Sequence, residues 1–420
     1  MLQNANMLIR KGFSFKLRPN GAQACKMSRF AGCTRFVYNK GLAWNEEQRK
    51  ADPNFRISYK SLSALLPGWK AENSWLAETY SQCLQQAMKD LFSAFKRFFD
   101  GDAKFPKFHK KFITKDSFRY PQNFKIDEAR RQILLPGIGW VRYRRSRFIE
   151  GKPKNVTVSR EADGWHVSIQ TELEHEAPEN QGDAVGIDMG VKRFVTLSDG
   201  TFVEPCDSLK RNLRKLKFEQ RRLSRMTKFG GNWRKQKQRI ARLHQHIANI
   251  RKDFLEKQSL VICKNHAVIV REDLKIKNMT ASAKGTVDEP GSHVKQKSGL
   301  NRTILDQGWG MFFQKLEWKA QLFGAKIIKV PPAFTSQTCP ACLHCEAKNR
   351  PTQALFACVL CGYSDNADHV AAENILTRGL RVTACGEAGI TARTRVNPGH
   401  RRMGSGQQQE PIEEFTGLAR

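Results

Sequence analysis

The sequence predicts an α/β chain joined to a β-barrel, and three patterns carry that reading. Two-residue alternation of apolar and polar positions marks strand character at 8–18 and again between 120 and 175. Between 74 and 99, apolar residues recur instead at helical spacing, so a helical module interrupts the strands. Farther on, short β-branched runs at 185–187 and 267–270 alternate with long helical stretches, the order expected of an α/β domain.

At roughly 100–200 residues per domain, the 420 residues divide into two to four domains, each able to bury a core. Lys and Arg total 72 against 40 Asp and Glu, a net charge of +32. Such a chain repels itself and attracts polyanions, which makes nucleic acid the leading partner. A membrane is the weaker alternative, because no apolar run reaches the ~18 residues of a spanning helix. The N-terminus MLQNANMLIRKGF also lacks a signal-peptide core. A cytoplasmic, nucleoid-associated protein is expected. Six of the 11 cysteines (Cys25, Cys33, Cys83, Cys206, Cys263 and Cys385) stand singly, as free thiols do in a reducing compartment.

In chain order, residues 8–18 form a strand that Pro19-Asn20-Gly21 closes as a turn. The helix at 74–99 aligns Tyr80, Leu84, Met88, Leu91, Phe95 and Phe98, with Ser74 as its N-cap. Residues 22–100 are therefore mainly helical. The segment 101–120 interleaves Lys104, Lys107, Lys110, Lys111 and Arg119 with Phe and Tyr, a pattern that lays phosphates on charges and bases on rings. A solvated basic loop that tucks single aromatics into a core would read the same way, and both readings stay open. Strands then return up to 175 and, with the first one, build a barrel or sandwich. Between 210 and 257 there are 17 Lys and Arg against 3 acids, with apolar residues at coiled-coil spacing on each side of Gly230-Gly231. This is a basic helical hairpin. A charge run is often only a solvated face, but the sign imbalance favours phosphate contact through Arg214, Arg221, Arg222, Arg234 and Arg239. From Arg378 onward the apolar period is lost and a disordered tail is expected.

The stretch CPACLHCEAKNRPTQALFACVLCGYSDNAD, residues 339–368, pairs Cys339 with Cys342 and Cys358 with Cys361, fifteen residues apart. Two C-x-x-C knuckles close a four-thiolate tetrahedron, the ligand set of structural Zn²⁺ with no open position for catalysis. Gly362 supplies the backbone freedom that the second knuckle wants. His344 and Cys345 could substitute as ligands. The H-x-H at His244 and His246 falls on the helical hairpin, where residues two apart diverge, and makes a poor metal pair.

Three acids remain. Asp188 ends the apolar run 185–187, and an aspartate there is costly unless paired or bound to a cation. Glu272 follows the second run, and Asp368 stands just before a helix, where a first-turn charge is its bland role. Each has an ordinary explanation alone. Spaced as strand, strand, helix, they match three carboxylates converging on two hard cations such as Mg²⁺, the arrangement of in-line phosphodiester hydrolysis. No Walker A loop or nucleophile elbow competes.

The blocks FKLRPNGAQ, CTRFVYNKGL, GIDMGVKRF, ANIRKDFLEK, VREDLKIKNM, LNRTILDQGWGMFFQKLEWKA, VPPAFTSQTCPAC and ADHVAAENI resemble, in order, the TnpB-type RNA-guided nucleases of insertion sequences, the OrfB transposon proteins. The resemblance spans residues 8 to about 376. It implies a wedge β-barrel at 1–21 and 101–181 and a helical recognition module at 22–100. It further implies an RNase H-like (RuvC) nuclease domain at 182–336 and 363–380, a zinc-ribbon insert at 337–362, and a tail at 381–420. Matched to the family motif, Asp188, Glu272 and Asp368 are the catalytic, Mg²⁺-binding acids. Ala367 and Val370 stand where many relatives read Arg and Asn, which is expected to weaken nucleic-acid contact or metal orientation. Asp365 is the alternative third ligand.

The resulting expectation is a Mg²⁺-dependent, RNA-guided DNA endonuclease, monomeric with its RNA. Its partners would be a guide RNA from the transposon end and double- and single-stranded target DNA. The alternative is a non-cleaving, RNA-guided DNA-binding regulator. A strand-joining transposase would need a His-hydrophobic-His motif and a nucleophilic tyrosine, which the sequence does not offer convincingly.

Overall fold

A computed structural model describes residues 7–384, with side chains through residue 381. Strand β1 (Met7–Arg18) buries the odd-numbered Ile9, Phe13, Phe15 and Leu17 on one face, as the alternation predicts. Asn20, predicted as part of a turn, instead caps α1 (Gly21–Ala51). Its Oδ1 accepts the Gln23 N–H at 2.8 Å, and Gln23 Oε1 accepts the Asn20 N–H at 3.1 Å. This reciprocal capping box lets a strand pass into a helix within two residues.

Helices α2 (Tyr59–Ala64), α3 (Leu66–Glu72) and α4 (Ser81–Phe99) follow. The helix predicted from Ser74 starts later than expected. Ser74–Leu76 is an isolated 3₁₀ turn, and Tyr80, at φ −54° and ψ 119°, leaves the helical region before α4 begins. Leu84, Met88, Leu91 and Phe95 of α4 share a core with Val37 and Leu42 of α1.

Strands β2 (Ser117–Tyr120), β3 (Lys125–Asp127), β4 (Gln132–Leu135), β5 (Gly139–Arg144), β6 (Lys152–Glu161) and β7 (Gly164–His175) join β1 in an antiparallel sheet of order β2-β6-β7-β1-β5-β4-β3. β1 pairs with β7 from Met7↔His175 to Lys16↔His166, and its far end also pairs with β5. Among the described residues β2 and β3 do not pair with each other, so the predicted barrel is realised as a curled, open sheet.

The second sheet has the order β10-β9-β8-β11-β12. β8 (Ala184–Met189), β9 (Val195–Leu197) and β10 (Phe202–Val203) form an antiparallel meander. The hairpin of α5 (Ser208–Ser224) and α6 (Gly231–Asn265) then leads to β11 (Val268–Glu272), which is parallel to β8. Helices α7 (Ile276–Met279), α8 (Val294–Gln307) and α9 (Trp309–Phe323) precede β12 (Lys326–Val330), parallel to β11. Parallel strands need cover on both faces, which explains the unbroken apolar runs of β8 and β11. Phe312, Phe313 and Leu316 of α9 pack with Ile187 and Ile269.

A small ladder of β13 (Leu355–Ala357) and β14 (Ser364–Asn366) leads into α10 (Ala367–Ala384), whose Ile375 packs with Val270, Ile328 and Val330. Of the predicted tail, residues 381–384 continue this helix, and the rest, Cys385 included, lies outside the described residues. Among the described residues, no helix is long and apolar enough to cross a membrane.

Two glycines fix how α10 crosses the sheet. A Cβ on Gly186 of β8 would lie 2.1 Å from the Ala372 carbonyl oxygen, and one on Gly379 would lie 2.4 Å from the Val270 side chain. Helix and strand therefore touch backbone to backbone. Gly186→Ala is expected to destabilise the chain by on the order of 1–3 kcal/mol through overpacking. Chemical denaturation checks this, and an unchanged midpoint would contradict the contact.

Candidate functional site

The four cysteines of the paired knuckles converge. The Cys339 and Cys361 sulfurs are 3.6 Å apart, as are those of Cys342 and Cys358, and all four ligand atoms lie within 4.8 Å of one another. Metal–sulfur bonds of about 2.3 Å in a tetrahedron place sulfurs about 3.8 Å apart, so the cluster is a four-cysteine metal site. None of the four is in a disulfide.

The knuckles share one backbone plan. Leu343 N–H bonds the Cys339 carbonyl and Gly362 N–H the Cys358 carbonyl, both at 3.0 Å. The residue after each second cysteine is left-handed, Leu343 at φ 62° and Gly362 at φ 76°. The backbone N–H of Cys361 helps hold the Cys358 thiol down to about 6, which favours the metal-binding thiolate. Cys345 is exposed, and His344 Nε2 is engaged by Glu346 at 3.2 Å, so neither belongs to the cluster. His244 and His246 are exposed on α6.

The fold also gathers the three acids. Glu272 ends β11, and its neighbour Arg271 is in register with Ile187 on β8, one residue before Asp188. Asp368 occupies the first turn of α10. It does not cap that helix: Asn366 Oδ1 accepts the Asp368 N–H at 3.0 Å, so the Asp368 carboxylate takes no part in the cap. Burial, followed by the charges of Glu272 and Asp368, pushes the Asp188 carboxyl up to about 7. Burial likewise raises Glu272. Asp365 is held elsewhere, its Oδ2 being 2.6 Å from His369 Nδ1, and this bond keeps its carboxyl low. The acid that faces Asp188 is Asp368.

Three supporting residues were not foreseen. Arg350, from the metal-bearing insert, places Nη2 3.3 Å from Asp368 Oδ1, and its charge opposes the rise at Asp188. Thr335 donates its hydroxyl to Glu272 Oε1 at 2.6 Å. Asn374 of α10 donates to the carbonyls of Thr335 and Thr338 at 2.9 and 2.7 Å, tying the helix to the segment that holds Glu272. Ala367 and Val370 have a packing role of their own. Both are fully buried with Cys339 and Phe356, so they pack the metal-bearing insert and face neither nucleic acid nor the acids. The guanidinium near Asp368 comes from Arg350.

Of the basic residues, Lys104, Lys107, Lys110, Lys111, Arg214, Arg221, Arg222, Arg234 and Arg239 are exposed. Arg119 is half-buried and paired with Asp90 at 3.3 Å, and Arg239 stands 4.0 Å from Glu219. The exposed residues fall on two surfaces, the 101–116 loop and the α5–α6 hairpin.

A family model described as "Probable transposase" (OrfB_IS605) matches residues 167–283, and one described as "Cas12f1-like, TNB domain" matches 309–375. A protein of Escherichia coli (strain K12) named "Putative RNA-guided DNA endonuclease InsQ" is 49% identical over 380 residues, covering 90% of this chain and 94% of that protein. The chain belongs to the OrfB/TnpB transposon family. A Streptomyces pristinaespiralis member, "Putative RNA-guided DNA endonuclease", is 31% identical and covers 98% of this chain and 99% of its own. The solved "Cryo-EM structure of the Cas12f1-sgRNA-target DNA complex" is 18% identical at a TM-score of 0.33, covering 88% of this chain and 99% of its own. A further model, "Helix-turn-helix domain", matches residues 7–53 of this OrfB/TnpB chain, where the structure has one strand and one continuous helix.

Two outcomes follow from this geometry. Leu343→Gly is expected to keep the metal and gain about 1 kcal/mol by relieving a left-handed side chain, whereas Cys358→Ser is expected to lose the metal and melt the insert. Metal content and thermal unfolding check both. Because the folded Asp188 titrates near 7, above its ordinary 3.8, metal-free protein should lose stability as pH rises from about 4 to 7. Asp188→Asn should flatten that loss, and a wild-type pH profile in denaturant unaltered by the substitution would contradict the coupling of the three acids.

Proposed function

We propose that this chain is a transposon-encoded, RNA-guided DNA endonuclease of the RuvC type. The observation that carries the reading is the convergence of Asp188, Glu272 and Asp368 from two adjacent parallel strands and one helix start. The relatives named as RNA-guided endonucleases support it over nearly their whole length. In this reading residues 1–21 and 101–181 form the wedge and 22–100 the recognition module. Residues 182–336 with 363–380 form an RNase H-like nuclease, and 337–362 a ribbon closed by structural Zn²⁺.

The donor set fits hard cations. Burial, with the charges of Glu272 and Asp368 added to it, raises Asp188, and oxygen ligands of this kind hold Mg²⁺. Bound between them, a Mg²⁺ pair would supply an activated water and charge stabilisation at the leaving oxygen. The chain's own residues prepare that site. Thr335 fixes the Glu272 carboxylate, Asn374 fixes Thr335, and Arg350 offsets the charge of Asp368 until a cation takes its place. With its carboxyl raised to about 7, Asp188 becomes a charged ligand near neutral pH.

The partners follow from charge and family. A guide RNA from the transposon end would lie on the basic surfaces, pair with one strand of the target and leave the protein to read a short flanking DNA motif. The non-cleaving regulator would be expected to lack one of the acids, and this chain retains all three.

Expressed with its flanking DNA, the chain should purify with a discrete RNA and, with Mg²⁺, cut only DNA that matches the guide beside a fixed motif. Asp188→Ala, Glu272→Ala and Asp368→Ala should each abolish cutting while leaving nucleic-acid binding nearly unchanged, and Asp365→Ala should still cut. Robust cleavage by Asp368→Ala would sink the assignment, as would cleavage that survives RNase treatment before DNA is added.

A further inference from the structure

The α5–α6 hairpin is longer than the core beneath it requires. Leu255 and Ile262 of α6 belong to the core of the second sheet, and farther out Ile240, Leu243 and Ile247 cluster with Leu209, Leu216 and Leu223 of α5. Midway, Gln245 is bonded to Asp163 of the β6–β7 turn at 2.9 Å, and Gln236 to the Glu219 carbonyl at 3.0 Å. Beyond that brace the arm continues to Gly231, which at 1.5 Å per residue lies about 36 Å along the helix from Leu255. Its tip has nothing of the described chain to support.

The tip has an unusual composition. Phe229 is 72% exposed and left-handed at φ 68°, directly before two glycines that could have taken that conformation without strain. Its ring lies 5.5 Å from that of Trp233, and Lys237 Nζ sits 5.1 Å over the Trp233 ring. Arg225, Lys228, Arg234 and Lys235 lie within four residues of one ring or the other and are exposed, and none of them has an ion-pair partner among the described residues. No acid occurs between residues 220 and 252. A single exposed aromatic is ordinary. A strained one, backed by a second ring and flanked in sequence by unpaired cations at the end of an arm, calls for a reason.

We propose that Phe229 and Trp233 form a stacking platform for an unpaired base in a loop or bulge of RNA, with the flanking Lys and Arg holding its phosphates. This rests on the reading above that the chain binds RNA, and it names the element that engages unpaired nucleotides. A paired helix offers no open base face, and its deep groove excludes side chains, whereas loops splay bases onto aromatic rings.

The test uses full-length protein and fluorescence anisotropy with three probes: an RNA stem-loop with an unpaired loop, the same stem as a blunt RNA duplex, and single-stranded DNA of the loop sequence. Phe229→Gly removes the ring and the strain together, so a merely structural role predicts equal or higher thermal stability and unchanged binding. The platform predicts equal or higher stability with stem-loop affinity lower by about tenfold. It also predicts an unchanged slope of affinity against salt and intact duplex binding, and Phe229→Tyr should bind as wild type. Lys228→Ala with Arg234→Ala should instead weaken all three probes and reduce the salt slope. Wild-type-like stem-loop binding by Phe229→Gly would overturn the proposal while leaving the nuclease reading intact. So would an equal loss on duplex RNA, or a loss confined to the DNA probe. A wild-type chain that binds none of the RNA probes would overturn both.

Discussion

The structure turns on the contact between the backbone of β8 and the backbone of α10. Because Gly186 has no side chain, the helix lies against the strand at a distance that no other residue permits. That distance brings the first turn of α10 to the end of β8, where the charge of Asp368 adds to burial and to Glu272 in raising the Asp188 carboxyl. Parallel pairing of β11 with β8 adds Glu272 at the same edge. Carboxylates from strands 84 residues apart in the chain, and from a helix farther still, are thus concentrated by sheet register and one missing Cβ.

The four-cysteine insert belongs to the same arrangement. Its core is continuous with α10, since Ala367 and Val370 are buried with Cys339, Cys358 and Phe356. Arg350 reaches from the insert to Asp368, and Asn349, fully buried, ties Gln337 and His344 through their carbonyls. A closed thiolate site has no chemistry of its own to offer here. Its contribution is stiffness: it holds a guanidinium and a helix start in fixed relation to two strand ends.

Much of this was legible in the sequence because it rests on local rules. Period-2 and period-3.6 patterns located the strands and most helices, the twin C-x-x-C spacing located the metal ligands, and acids closing apolar runs marked Asp188 and Glu272. What escaped was set by tertiary context. Asn20-Gly21 is an equally good turn or helix start until Gln23 completes the capping box. The helical period around Ser74 persists although Tyr80 breaks the backbone. Arg350 looks like any of the 72 basic residues until the insert folds back on α10. Thr335 and Asn374 are single polar residues whose partners lie dozens of positions away.

The buried pair at the start of α10 bears on how such chains diverge. Position 367 contributes to the interior of the metal-bearing insert, and its side chain is 0% exposed. A guanidinium transplanted there from a relative would enter an apolar core without a partner, at a cost far above that of a surface exchange. In this chain the arginine near Asp368 and the packing under the knuckles belong to one insert. Exchanging either one alone would break that packing, so the insert and the helix start, tied by Asn374 to Thr335 and Thr338, behave as one block from 335 to 374.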